Sequence, residues 1–168
     1  VVVKDFAPRA VVRHASRHPV PLARYEYERN ARLFGIPGLG GNVAAPIRWI
    51  VAGTGQIVMQ EFVAGVPLAQ FAAAAGGDQR RRVAGELARI VRAAHAAAVY
   101  DLDLHAENVL VLSAANGGAA PVLFDFNKIP YHEWPPNPLA RVLVALGLAG
   151  PESRDRRYLR RLHRILTR

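Results

Sequence analysis

The chain has 168 residues, of which 51% are apolar, and it contains no cysteine. This length and composition predict one globular domain and exclude disulfides and thiolate metal sites, and the lack of cysteine fits a cytoplasmic protein. No uninterrupted apolar run reaches the ~18 residues that a membrane-spanning helix needs. The formal net charge of +9 lies at the two ends: residues 1–34 carry +4, residues 35–150 carry zero and residues 151–168 carry +5.

Basic ends of this kind attract anionic membranes, phosphorylated glycolipids or nucleic acids. The chain contains no nucleic-acid recognition motif, so we expect no nucleic-acid partner. The alternative is that the basic side chains at both ends simply face water.

Hydrophobic periodicity and turn residues predict mostly strands early in the chain and mostly helices later. In chain order the patterns predict a buried strand at Val1–Phe6, a helix at Leu22–Phe34, a hairpin of Pro46–Ala52 and Gln56–Val63, a helix at Arg80–Ala98, two short strands around Asn116–Gly118, and helices at Pro138–Leu148 and Arg154–Leu166. The apolar face predicted for the helix at 80–98 consists of Val83, Leu87, Ile90, Val91 and Ala94. This order predicts an α+β fold with its site in a cleft.

The most informative segment is Asp101-Leu102-Asp103-Leu104-His105-Ala106-Glu107-Asn108, which Asp125 follows after further apolar residues. Phosphoryl transfer needs one carboxylate to orient the attacking hydroxyl, and oxygen ligands that hold Mg²⁺ or Mn²⁺ against nucleotide phosphates. The spacing predicts Asp103 as the catalytic base and Asn108 and Asp125 as the metal ligands. The alternatives are a cap or turn role for Asp103 and a strand-end turn role for Asp125.

Two segments, Tyr100–Leu112 and Val122–Lys128, resemble the catalytic and metal-binding segments of the protein-kinase-like superfamily. Within it the chain is most similar to the lipopolysaccharide kinases, especially the 3-deoxy-manno-octulosonic acid (Kdo) kinases. The shared features are Val-Tyr before the catalytic loop, Asp-Phe without a following Gly, and the Trp-x-x-Asn-x-Leu-Ala-Arg run at Trp134–Arg141.

This resemblance implies a two-lobed kinase-like fold in a single domain of residues 1–168, with a small β-rich N-lobe at 1–63 and a helical C-lobe at 64–168. In the family a glycine-rich hairpin precedes the strand lysine. Because these residues start at that strand, we expect an N-lobe part that lacks the hairpin. Either a preceding segment supplies the phosphate lid or the protein acts without it, and catalysis by these residues alone depends on which alternative holds. The glycines at 38–41 follow the helix and are interpreted as a connector.

The resemblance also implies an ATP site. Lys4 would hold the α- and β-phosphates, and a glutamate of the next helix would orient it. The spacing from Leu33 and Phe34 favours Glu26 over Glu28. The alternatives are an edge-strand lysine and helix-surface acids that pair with nearby arginines.

The segment Met59–Val63 resembles the hinge between kinase lobes, where main-chain groups would bind adenine. The predicted contacts are the Glu61 carbonyl and the Val63 amide, and the alternative is a plain strand-to-loop transition. Asp101 stands where many relatives have a bracing His, so it needs another partner, and it repels Asp103 if the two carboxylates face each other.

The implied activity is ATP-dependent phosphorylation of a sugar hydroxyl, namely Kdo of a lipid A precursor in lipopolysaccharide core biosynthesis. The protein would act in the cytoplasm, peripheral to the inner membrane, with arginines of the terminal helix meeting anionic lipid. Lys128 would meet an anionic acceptor or face water, and His105 would touch the sugar or bond to backbone. The alternatives are a protein Ser/Thr or small-molecule acceptor, or a non-catalytic pseudokinase.

Overall fold

The structure is a computed structural model that describes residues 1–113, 118–130 and 138–167. In chain order the elements are β1 Val2–Asp5, α1 Pro8–Ala15, α2 Leu22–Phe34, β2 Pro46–Ala52, β3 Gly55–Gln60, β4 Val66–Pro67, α3 Leu68–Ala74, α4 Gly77–Ala96, β5 Val109–Ser113, β6 Ala119–Leu123, α5 Pro138–Ala145 and α6 Ser153–Thr167. The predicted mixed α+β class is confirmed. Of the predicted turn at 116–118, only Gly118 lies within the described residues. The Trp134–Asn137 part of the family run lies wholly outside them.

The first sheet is antiparallel, with the strand order β1-β3-β2. β1 is an edge strand, so the prediction of a buried strand is wrong: its side chains alternate, and Val3 is 58% exposed. Lys4 lies on the covered face with Val2 and Phe6, where α2 packs against the sheet. This face contains the smaller of two apolar cores, formed by Phe6, Leu22, Ala23 and Val58.

The second sheet has the order β4-β5-β6 and packs into the larger core together with α3, α4 and α6. Its β5–β6 hairpin pairs Val109 with Leu123. The side-chain amide of Asn42 donates to the Pro121 carbonyl at 2.9 Å, and Val43 forms a parallel β-bridge with Leu123. The chain that enters the first sheet at β2 is therefore anchored to the second sheet.

The helices at 22–34 and 80–98 form as predicted from their apolar faces, although α4 begins earlier, at Gly77, and ends at Ala96. The predicted buried face of α4 is confirmed residue by residue. Two helices, α1 and α3, are absent from the sequence prediction. The sequence pattern predicts that Pro8 bounds the first strand, but Pro8 is the first residue of α1, where a proline's missing N–H costs nothing.

The terminal helix α6 lies against α4 with its predicted apolar stripe turned inward. Leu162 and Leu166 are buried, and Tyr158, Leu159 and Ile165 pack against the larger core. The described arginines that surround this stripe at 156, 157, 160, 161 and 164 are exposed. Within the described ranges, no helix combines the length and the apolar character needed to cross a bilayer.

Candidate functional site

Lys4 is the centre of a three-residue charge cluster that joins three distant parts of the chain. Its Nζ donates to both carboxylate oxygens of Glu26, at 2.9 and 3.1 Å, and to Asp125 Oδ1 at 2.6 Å. The ammonium also lies 4.9 Å from the centre of the Phe6 ring. Lys4 therefore faces two carboxylates on the covered side of β1, which disfavours the alternative of a solvated edge-strand lysine.

Glu26 is fixed by the way α2 sits on the first sheet. The Gln56 side chain of β3 accepts a hydrogen bond from the Ala23 amide at 3.0 Å, in the first turn of the helix. The small Ala23 is fully buried, so the helix approaches the sheet closely. Glu28 faces solvent and pairs with Arg24 at 2.7 Å. Lys4 thus pairs with Glu26, the glutamate that the sequence spacing favours, and not with Glu28.

Burial determines the protonation behaviour of Glu26, which is 1% exposed. Desolvation raises the pKa of Glu26 to about 7, and the attraction of Lys4 opposes this rise only in part. This value includes the repulsion of the neighbouring Asp125 carboxylate, which also raises the pKa. Because the charge on Asp125 is one of the causes of this shift, a change of charge at Asp125 would change the pKa of Glu26.

Asp125 and Asn108 are brought together by the β5–β6 hairpin. The pairing of Val109 with Leu123 continues outward, because the Phe124 amide donates to the Asn108 carbonyl at 3.2 Å. Asp125 follows directly, in a left-handed conformation with φ of 65°. Non-glycine residues adopt this conformation at a cost of ~1 kcal/mol, and such residues cluster at functional sites.

Asp103 lies in the loop before Asn108 and also has a left-handed φ, of 52°. Its Oδ1 lies 3.3 Å from His105 Nε2 and 3.3 Å from Lys128 Nζ. The Asn108 amide nitrogen donates to the Asp103 carbonyl at 2.9 Å. The two predicted loop residues are therefore bonded to each other through the Asn108 amide nitrogen, which leaves the amide oxygen outside this bond.

The loop is braced from α6 by Asp155, a residue that the sequence did not single out. Its carboxylate accepts the amides of Asp101 and Leu102, each at 2.8 Å, and lies 3.0 Å from His95 Nε2. The expected partner of Asp101 comes from the same helix, since Arg154 Nε lies 3.5 Å from its carboxylate. Asp101 and Asp103 thus have different cationic partners.

A second brace, Arg29 on α2, was also not predicted as functional. Its guanidinium donates to the carbonyls of Tyr100 and Asp101 at 2.6 and 3.1 Å. The helix that carries Glu26 is thereby tied to the loop that carries Asp103. No sequence pattern identifies Arg29 as functional, because its partners lie about 70 positions away. Asp155 gives no pattern either, because it lies between arginines of α6 that suggest a local ion pair.

The predicted adenine-binding segment begins at the end of β3. The Glu61 amide donates to the Ala45 carbonyl at 2.8 Å, and the Val63 carbonyl accepts from the Gly65 amide at 2.9 Å. Within the described part of the chain, the Glu61 carbonyl and the Val63 amide are not engaged in such bonds. The two predicted groups are therefore available to a ligand.

The oxygen donors present fit a magnesium ion better than a softer metal. Asp125 is partly exposed, and Asn108 has its amide nitrogen committed to Asp103, so a carboxylate and an amide oxygen remain. Among the described side chains, no three His, Cys or acidic residues form a metal cage. Two protein oxygens suffice for Mg²⁺, which takes its other ligands from water and substrate phosphates.

A scan against models of known protein families gives no match to this chain, and a search of curated proteins also gives none.

Proposed function

We propose that this chain is an ATP-dependent phosphotransferase of the protein-kinase-like superfamily, with a two-lobed fold and its site in the cleft. The observation that carries the proposal is the position of the Lys4 ammonium between Glu26 and Asp125. A buried glutamate that orients a lysine beside a strand-end aspartate is an arrangement suited to holding nucleotide phosphates. Asp103 and Asn108 lie on the adjacent loop, tied to the strand pair that leads to Asp125.

In this proposal each residue has a separate task. Lys4 binds the α- and β-phosphates, and Glu26 keeps its ammonium in position. Asp125 and the Asn108 amide oxygen would hold Mg²⁺ (or Mn²⁺), which would supply positive charge against the phosphates. Asp103 orients the acceptor hydroxyl and takes its proton as the new P–O bond forms and ADP leaves.

The nucleotide base would bind to the main chain after β3. The Glu61 carbonyl offers an acceptor and the Val63 amide a donor, which match the donor and acceptor on one edge of adenine. This assignment supports ATP as the phosphate donor. It uses no side chain, so substitutions at these two positions are a poor test of it.

The acceptor we favour is Kdo of a lipid A precursor, on the resemblance of the catalytic segments to the Kdo kinases. The basic residues at both ends of the chain support an anionic glycolipid, and they argue against a cationic small molecule. The same charges support a peripheral position at the cytoplasmic face of the inner membrane, where such a glycolipid would lie.

The experiment that tests this function measures phosphate transfer from radiolabelled ATP to a Kdo-containing lipid A precursor. We expect Mg²⁺-dependent transfer that falls on the order of 10²-fold in Asp103→Ala with ATP affinity nearly unchanged, since Asp103 addresses the acceptor. ATP binding without transfer to this acceptor, to protein or to small molecules would instead identify a pseudokinase. An equal loss of ATP binding in Asp103→Ala would contradict its role as the base.

A further inference from the structure

A cleft of about 440 Å³ lies next to the candidate site, between α1 and the residues that follow Asp125. Its polar lining consists of Arg13, His14, Arg17, Asn127, Lys128 and Arg154. Three separate parts of the chain therefore contribute cationic side chains, while no carboxylate is among the described lining residues. Apolar side chains such as Phe6 and Leu22 complete the wall, so the cleft combines positive charge with an apolar surface.

Among the described residues, part of this positive charge has no acidic partner. Lys128 and Arg154 each lie near an aspartate of the catalytic loop, at 3.3 and 3.5 Å. Arg13 is exposed at the end of α1 and has no acidic partner within the described residues. Burial lowers the pKa of His14, so the charge of the cleft at neutral pH comes from its arginines and its lysine.

We propose that this cleft binds an oxyanion, a phosphate or carboxylate group of the acceptor, with Arg13 as its principal ligand and Arg17 as a further guanidinium of the lining. The inference rests on the proposed function and deepens it, since it assigns the acceptor class to a specific set of side chains. Guanidinium groups suit this task because their paired donors match the oxygens of phosphate and carboxylate.

Lys128 lies between the cleft and the proposed catalytic base, Asp103. It lines the cleft, and its Nζ also lies 3.3 Å from Asp103 Oδ1. An acceptor whose oxyanion occupies the cleft therefore has its neighbouring hydroxyls on the side of the catalytic carboxylate. α1 follows β1 directly, so the helix that supplies Arg13 is held by the strand that supplies Lys4.

The test uses inorganic phosphate as the probe and the thermal unfolding midpoint as the readout, at constant ionic strength with chloride as the reference. We expect phosphate to stabilise the parent, and its apparent affinity to fall about tenfold in Arg13→Gln/Arg17→Gln. The control Arg82→Gln/Arg92→Gln removes the same charge from exposed positions of α4 and should behave as the parent. Arg13→Gln alone, at an exposed position, covers the case in which the double variant folds poorly.

A Lys4→Met variant separates this cleft from the nucleotide site. We expect Lys4→Met to keep the phosphate response, whereas the double arginine variant keeps the stabilisation by MgATP. A short-chain phosphatidic acid tested beside phosphate distinguishes a lipid headgroup from a free oxyanion, and a response to either one supports the cleft. Phosphate stabilisation that survives in Arg13→Gln/Arg17→Gln, or is lost equally in the control, would overturn the inference. A parent that is stabilised by phosphate but not by MgATP would count against the proposed function and would still support oxyanion binding in the cleft.

Discussion

The Lys4 ammonium lies 2.6 Å from the Asp125 carboxylate, although 121 positions separate the two residues in the sequence. This contact joins the edge strand of the first sheet to the end of the β5–β6 hairpin in the second. Glu26, on α2, is the third member of this cluster, because its carboxylate also pairs with the Lys4 ammonium. The nucleotide-binding role proposed for this chain depends on these three side chains acting together, and Glu26 and Asp125 can each be tested against another acid of the same type.

The Lys4–Glu26 pair should govern nucleotide affinity. We expect Glu26→Gln to weaken MgATP binding about tenfold, because the neutral amide no longer orients and supports the ammonium. Glu28→Gln, which removes the same charge two positions away on the solvent face, should bind MgATP as the parent does. Isothermal titration calorimetry measures both, and equal affinities in the two variants would show that the buried pair has no role in binding.

Glu26 should also make stability depend on pH. Its pKa is raised from the ordinary 4.5 to about 7, so the folded protein binds this proton more tightly than the unfolded chain does. The resulting stability is fully present below pH 4.5 and is lost as the pH rises through about 7. Relative to Glu26→Gln, we expect the parent's free energy of unfolding to fall by up to about 3 kcal/mol over this interval. Urea denaturation at several pH values measures it, and a constant difference would mean that Lys4 keeps Glu26 ionised throughout.

Asp155 should be among the most sensitive positions for stability. Asp155→Ala would leave the buried amides of Asp101 and Leu102 without their acceptor, and each lost partner costs roughly 1–3 kcal/mol. Asp78→Ala removes an exposed aspartate that pairs with Arg81 and should change stability by less than about 1 kcal/mol. Chemical denaturation compares the two, and a small effect at Asp155 would mean that the loop keeps its shape without this brace.

The exposed arginines of α6 should bind anionic lipid. Each contributes roughly 1 kcal/mol near such a surface, and the attraction fades within a Debye length. We expect salt-sensitive sedimentation with anionic vesicles, greatly weakened by changing Arg156, Arg157, Arg160 and Arg161 to Gln. The matched control changes four exposed arginines on other elements to Gln: Arg48, Arg82, Arg92 and Arg141. Equal partitioning to neutral and anionic vesicles, or equal loss in both variants, would identify the α6 arginines as ordinary solvated surface.

The sequence predicted those parts of the structure that local pattern controls. The apolar periodicity of α4 gave its buried face, and the helical spacing of α2 separated Glu26 from Glu28. The side chains at 103, 108 and 125 were identified from their residue types and spacing. Their roles are still predictions, because geometry alone identifies no substrate.

The parts that were not predicted depend on contacts distant in the sequence. Arg29 looks like a surface arginine until the structure brings it to the carbonyl of Tyr100. Asp155 lies in a run of arginines, where an acid suggests a local ion pair, yet it is fully buried and bonds to backbone. The edge position of β1 appears in the sequence analysis only as the alternative for Lys4, since a run of valines does not specify which neighbours its strand will have.

The most direct test of the central claim is whether the chain binds ATP through Asp125 in a Mg²⁺-dependent manner. Calorimetric titration of MgATP should give saturable binding to the parent that is lost when Mg²⁺ is chelated. Asp125→Asn keeps the shape of the side chain but not its charge, and we expect it to weaken binding at least about tenfold, while Asp78→Asn has no effect. The account would be contradicted if the parent bound no MgATP, or if Asp125→Asn, folded as the parent, bound it with unchanged affinity.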